Sequence, residues 1–354
     1  MSNNIVKLQD RNLYRYCNPF IVAEISSNHN QKFENAIELI DIAAEANVDA
    51  VKFQTFEPKS LTLNSNKKYF QLSRTSNWKN YNQFSLYSKG ATPKSWHKEL
   101  YNHAKSRSIT PFSTPFSVKD VEFLEEIGNP IYKIASYESN HFELISEVLK
   151  TNKPVFISIG GTDLNDFKLL INCLNKSSNK QIVIMNCVCS YPALPKESNM
   201  KKIISLFEDY NLLAGFSDHS LDSSAAIVAA SLGAVVFEKH LMLQSDERES
   251  LDKDFSSNQK QFQQYVNDIR KVQEILGSSE FKLLESEKIN TNSRRSIFST
   301  TQIKKGEQFT KENVAVVRPI GGLHPKYISE IIGKEAKRNI DEHEPLKLED
   351  VFQD

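Results

Sequence analysis

Cysteine is scarce in this 354-residue chain: Cys17, Cys173, Cys187 and Cys189 are all there are, and they make no evenly spaced framework. A disulfide-stapled secreted scaffold is therefore excluded. Cys187 and Cys189 fall on a predicted strand with their side chains expected on opposite faces, which argues against a shared metal. All four are read as reduced thiols in a cytoplasmic enzyme. Net charge is missing too, because 44 basic residues balance 44 acidic ones. No overall field draws the chain to nucleic acid or a membrane, so any anion must be held by a local site. No segment approaches the run of about 18 apolar residues that crosses a bilayer. Met1 to Asp10 is polar and lacks the apolar centre of a signal peptide.

What is present is the composition of an ordinary globular protein, 39% apolar and 25% charged. The length suits a barrel of roughly 250 residues with a small appendage. From about residue 20 to residue 276, short apolar strands alternate with amphipathic helices, the pattern of a parallel sheet with crossover helices. The strands read as Ile21–Ile25, Ala50–Thr55, Ile109–Ser113, Tyr132–Ser136, Pro154–Ile159, Gln181–Cys187, Leu213–Ser217 and Val235–Leu241. Eight such units close into a (β/α)8 TIM barrel, with a doubly wound open sheet as the structural alternative. The helix after the first strand places Phe33, Ala36, Ile37, Ile40, Ala43 and Ala44 at helical spacing.

Between about Glu57 and Thr92 the rhythm breaks into a polar insertion that nevertheless holds Tyr69, Phe70, Trp78, Phe84 and Tyr87. Following a strand's carboxyl end, it reads either as part of a mouth or lid, or as a mobile surface loop. Residues 277–293 suit a linker between a catalytic domain (1–276) and a small β-rich domain (294–354). That last stretch contains a repeat: Ile303, Glu307, Phe309, Glu312 and Val314 recur 37 positions later as Ile340, Glu344, Leu346, Glu349 and Val351. A duplicated strand-turn-strand unit with approximate twofold symmetry follows.

In such a barrel the active site lies where strands end and loops begin. Polar residues gather there: Glu24 on the first strand, Lys52 and Gln54 on one face of the second, Ser113 and Thr114 on the third. Lys133, Ser136 and Glu138 follow the fourth, Ser158 the fifth, Ser217-Asp218-His219 the seventh and Glu238-Lys239-His240 the eighth. A lysine inside an apolar strand is costly to bury without an anion. Lys52 and Lys133, with Ser136, Ser158 and Ser217, form a candidate cradle for a phosphate and a carboxylate; the bland reading pairs each lysine with an acid such as Glu24 or Glu138. His219 and His240 end neighbouring strands, so two imidazoles could share one cation and leave positions open for substrate oxygen. Alternatively, each is a satisfied structural histidine. Asp252 follows in a charged loop and could assist.

The stretches IVAEISSNHN, AVKFQTFEP, PFSTPFSVKDVEFLEE, YKIASYES, GFSDHSLDSSAAIVAASLGAVVFEKH and IKKGEQFTKENVAVVRP resemble the sialic acid synthase family, over nearly the whole chain. The carboxyl-terminal part resembles that family's antifreeze-like (SAF) domain. PKSLTLNS, TPKSWH and RPIGGLHPKY look like the pseudaminic acid synthase branch. The resemblance implies condensation of phosphoenolpyruvate with an open-chain acetamido sugar, here 2,4-diacetamido-2,4,6-trideoxy-altrose. N-acetylneuraminate and legionaminate synthases are the sister alternatives. It implies His219 and His240 as ligands of a divalent metal, usually manganese, with magnesium or cobalt as substitutes. Lys52, Thr114, Lys133, Ser136, Ser158 and Ser217 would hold phosphoenolpyruvate, and Gln54, Glu138, Tyr191 and Asp252 the sugar. Glu24 would stabilise the developing cation or accept water's proton. Arg318 would reach the barrel mouth of a partner in a domain-swapped homodimer.

The chain departs from the pattern in three places. Cys189 stands where relatives often carry Asn or Ser, Gly160-Gly161 replaces an expected Thr-Gly turn, and His343 fills the repeat position of Gly306, where a turn favours positive φ. A non-catalytic sugar-binding protein and a Schiff-base aldolase are the remaining rivals.

Overall fold

The computed structural model describes residues 4–73, 76–244 and 250–351. The first three residues of the polar amino terminus, and Arg74 and Thr75 in the insertion, lie outside that set. The chain divides into two compact units, Met1–Gly277 and Ser278–Asp354.

In the first unit eight parallel strands close into a barrel: β1 (Phe20–Glu24), β2 (Ala50–Thr55), β3 (Thr110–Pro115), β4 (Tyr132–Ile134), β5 (Val155–Ser158), β6 (Ile182–Cys187), β7 (Leu213–Asp218) and β8 (Val236–His240). Closure is made by β8, which pairs with both β7 and β1. A short antiparallel ribbon, Val6–Lys7 with Asn12–Leu13, precedes the barrel. The helices of the outer ring are α1 (Phe33–Glu45), α2 (Lys94–Ser106), α3 (Val118–Glu126), α4 (Phe142–Lys150), α5 (Leu164–Lys176), α6 (Lys201–Glu208), α7 (Ser224–Ser231) and α8 (Gln259–Leu276). Each lays an apolar stripe on the strands; α4, for example, buries Leu144, Ile145, Val148 and Leu149. Ser117 starts α3, and Asp163 starts α5, by accepting backbone N–H bonds with their side chains. No described helix is long and apolar enough to cross a membrane.

Strand periodicity sorts the barrel interior into tiers. Phe20 and Phe112 each meet Phe156 edge-on, at 6.0 and 5.9 Å, and make an aromatic floor. Two or four residues further along the same strands, on the same face, come Glu24, Thr114 and Ser158. A polar tier therefore rests on an apolar one. Residues of opposite parity face the helices: Lys239 bonds the Ser220 carbonyl (2.6 Å), lies 3.4 Å from Asp218, and sits over the Tyr265 ring. Two charged letters of the SDH and EKH stretches thus brace the wall.

The fourth strand is shorter than its apolar run predicts. The Ala135 carbonyl accepts the Glu138 N–H at 3.1 Å, so the chain coils into a 3-10 turn, and Ser136 and Glu138 stand on that turn. The insertion forms short helices, Pro58–Leu61 and Gln83–Gly90.

The second unit contains β9 (Ser296–Ser299) antiparallel to β10 (Val314–Val317). The repeat predicted from sequence becomes geometry: Ile303 and Ile340 exchange backbone bonds at 2.9 and 2.8 Å. Glu307 accepts the Lys304 N–H as Glu344 accepts that of Asp341. Ile303, Phe309, Ile340 and Leu346 are fully buried together. Gly306 and His343 both take positive φ, +82° and +62°, so the second repeat holds a histidine in a conformation that suits glycine.

Candidate active site

Glu24, Lys52 and Glu238 converge because β8, β1 and β2 are neighbours in register. His240 lies beside Glu24, and Glu24 beside Lys52. The Lys52 ammonium is 2.6 Å from Glu24, 3.7 Å from Glu238 and 3.1 Å from the Thr114 hydroxyl. Burial alone would lower the Lys52 amine, but the two carboxylates override it and hold its pKa above the ordinary value. Burial would likewise raise Glu238; Lys52 and Lys133 instead pull it down to about 2. The bland expectation for Lys52, an acid partner, is met twice over.

Lys133 is different. It is buried, donates to the Ile134 carbonyl at 2.9 Å, and makes no ion pair among the described residues. Burial pushes its amine below the ordinary value, with Glu238 offsetting part of that loss. Nearby, the Ser158 hydroxyl is buried without a hydrogen-bond partner. A buried polar group left unmatched costs about 1–3 kcal/mol, which an arriving anion would recover. The Ser136 hydroxyl accepts the Gly160 N–H at 3.0 Å, and Ser217 donates to Glu238 at 3.1 Å. The predicted cradle residues are thus brought to one place.

Beside the cradle, the His219 and His240 rings lie 5.4 Å apart between centroids. The His219 Nδ1 faces the Val188 carbonyl at 2.9 Å, which makes that nitrogen the donor and leaves Nε2 as a lone-pair ligand. Burial lowers the pKa of His219, favouring the neutral ring a metal requires. The His240 Nδ1 faces Asp252 at 3.4 Å. Burial would raise the Asp252 carboxyl, but His240, Ser26 and Ser27 hold it low. Among the described residues no group of three or more His, Cys, Asp or Glu is arranged to hold a metal. Two imidazoles with open positions suit a catalytic ion that also takes substrate oxygen. His29, by contrast, is buried against Thr92 and Trp96 and is structural.

The acceptor side of the mouth is aromatic. Tyr191 packs on His219 at 4.6 Å and on Phe255 at 4.8 Å, and Phe255 also meets His240 at 4.8 Å. Trp78, from the insertion, packs on Tyr191 and Phe255 and donates to the Leu251 carbonyl at 2.7 Å. Asn77 donates to the Tyr191 carbonyl. These contacts favour the mouth reading of this part of the insertion. Gln54 donates to Glu24 and Ser26, both at 3.0 Å. Burial raises Glu138 to about 7, against the lowering effect of Lys133. Arg318 belongs to the second unit, where it is exposed just after β10, at a cis peptide with Pro319.

Sequence reasoning placed Glu238 at the end of the eighth strand without giving it a role, and passed over Phe255. Glu238 is two residues before His240 on one strand face, so parity alone could have placed it inside; no local signal marks Phe255. The reading of Cys187 and Cys189 is corrected. Residues two apart on an extended chain share a face, and the two thiols interact with each other and with Ser136.

A closed (β/α)8 barrel with buried lysines, serines and paired histidines at its mouth has the build of a barrel enzyme. Residues 39–281 match the NeuB family and residues 294–351 the SAF domain. The pseudaminic acid synthase of Campylobacter jejuni (serotype O:2) is 38% identical over 331 residues, covering 94% of this chain and 96% of that one. The N,N'-diacetyllegionaminic acid synthase of the same organism is 33% identical, covering 92% and 98%. The solved structure of the Bacillus subtilis spore coat polysaccharide biosynthesis protein SpsE is 30% identical, with a TM-score of 0.65, covering 99% and 100%. The chain belongs to the NeuB family and ends in a SAF domain.

Proposed function

We propose that this chain condenses phosphoenolpyruvate with open-chain 2,4-diacetamido-2,4,6-trideoxy-altrose, forming a nine-carbon pseudaminate and releasing phosphate. The observation that carries it is the unpaired, buried Lys133 with the unpartnered Ser158 beside it, a seat for an anion. The acceptor choice rests on the greater identity to the pseudaminic than to the legionaminic acid synthase.

Lys133, Ser136, Ser158 and Ser217 would receive the phosphate, and Lys52 with Thr114 the carboxylate. Fixing both ends of the enol leaves its carbon 3 directed at the sugar, the main entropic help such a site gives. Gln54, Glu138, Tyr191 and Asp252 would orient the acceptor, with the Trp78 and Phe255 rings excluding water. His219 and His240 would hold a divalent metal, manganese or in its place magnesium or cobalt, which supplies Lewis-acid polarisation of the sugar aldehyde. Glu24 would stabilise the cationic carbon 2 or take the proton of the water added there. The protein works in the cytoplasm as a domain-swapped homodimer in which Arg318 completes a partner's mouth.

The test is incubation with phosphoenolpyruvate, manganese and a panel of acetamido sugars, followed by mass spectrometry and phosphate assay. A nine-carbon product from the altrose alone is expected. No phosphate release with any sugar, or product only from N-acetylmannosamine, overturns the reading.

A further inference from the structure

Gly160 follows β5 at the cradle's edge, and its φ lies outside the left-handed region, unlike that of Gly161 at +71°. Backbone conformation therefore does not call for glycine at 160. Space does. A β-carbon there would lie 2.6 Å from the Cys189 sulfur, 2.9 Å from the Ser136 hydroxyl oxygen and 3.3 Å from the Cys187 carbonyl oxygen. The first separation cannot be kept, so the sulfur must move. The Ser136 oxygen is a rotatable side-chain end that can turn into the space a missing sulfur would leave, and the carbonyl, at 3.3 Å, needs to yield only a few tenths of an ångström. Both sequence departures at this corner, Gly160 and Cys189, thus meet at one point in space.

The same corner directs a proton. The Gly160 N–H donates to the Ser136 oxygen at 3.0 Å, so that hydroxyl keeps its own hydrogen to give elsewhere. Cys189, half-buried, interacts with Ser136 and Cys187. We infer that Gly160 is a positioning residue: its missing β-carbon is the seat for the Cys189 sulfur, and a sulfur displaced from that seat turns the Ser136 hydroxyl away from its anion. Only the identity of the anion Ser136 serves, phosphoenolpyruvate, rests on the function proposed above. The pairing makes the two sites interdependent, so a side chain at 160 is tolerated when the sulfur at 189 is removed.

The experiment is calorimetric titration of the full-length protein with phosphoenolpyruvate, for wild type, Gly160→Ala, Cys189→Ala and the double variant. Gly160→Ala should weaken binding about tenfold or more, and Cys189→Ala less than about threefold. The double variant should return to within about threefold of Cys189→Ala, the non-additivity expected of touching residues. In parallel, alkylation of Cys189 by iodoacetamide, mapped by mass spectrometry, should run several-fold faster in Gly160→Ala as the thiol is pushed out. Wild-type affinity in Gly160→Ala, or losses that simply multiply in the double variant, overturns the inference. If Gly160→Ala does not fold, folding of the double variant supports it and failure of both overturns it. Should wild type bind no phosphoenolpyruvate, the proposed function falls; an unchanged alkylation rate in Gly160→Ala would separately sink the seat.

Discussion

Replacing each cradle lysine by methionine should move stability in different ways. Lys52 neutralises two buried carboxylates, at 2.6 and 3.7 Å. Lys52→Met leaves Glu24 with the Gln54 amide and Glu238 with Ser217 and the more distant Lys133, and breaking a buried pair from one side costs about 3–5 kcal/mol. For a unit of this size, about 2–4 °C per kcal/mol puts the loss at about 6–20 °C in the barrel's melting temperature. Lys133 makes no ion pair among the described residues and is itself penalised by burial, so Lys133→Met forfeits its bond to the Ile134 carbonyl and a longer-range attraction to Glu238, against which its own desolvation is recovered. Without ligand that variant should melt within about 4 °C of wild type. Phosphoenolpyruvate at a hundred times its dissociation constant should stabilise wild type by about 2.7 kcal/mol, roughly 5–10 °C. In Lys133→Met this ligand shift should almost vanish. Differential scanning calorimetry of the full chain reads all four quantities. If Lys133→Met loses as much as Lys52→Met, Lys133 is an ordinary structural charge; if it keeps the full ligand shift, the anion sits elsewhere.

His219→Ala or His240→Ala should abolish phosphate release with the far-ultraviolet circular dichroism unchanged, and chelation should do the same until manganese is restored; full turnover in chelated protein contradicts the metal role. Glu138 ionises near 7 when folded, against 4.5 as the ordinary value. Between those values the folded chain holds the extra proton, so Glu138 makes stability fall as pH rises from about 5 to 7, by up to about 3 kcal/mol. Glu138→Gln should flatten that part of the curve in denaturant titrations at several pH values. Arg318→Ala should raise the sugar KM with little change in kcat, read by steady-state kinetics; an unchanged KM speaks against a second-unit contribution. His343→Gly should stabilise the second unit by about 1 kcal/mol, by relieving positive φ, seen as a higher-melting transition.

Much of the barrel was legible because buried parallel strands announce themselves as short apolar runs, and the costly letters among them, Lys52 and Lys133, stand out. Pairing was not. That Lys52 has two acids while Lys133 has none depends on which strands adjoin, not on either strand's own letters. Ser136 and Glu138 were expected near a strand end, but the turn that carries them is set by one backbone bond from Ala135. The aromatic rim joins Trp78, Tyr191 and Phe255 from loops far apart in sequence, beyond any local period. Cys187 and Cys189 were misread through parity, and with them the contact that explains Gly160.

The three phenylalanines beneath the polar tier make the cylinder a cup with one opening. In the proposed condensation, substrates and products would all use the same doorway, so their order of arrival and exit would be imposed by queueing. An occupant bound low in the cup has to wait for whatever lies above it to leave.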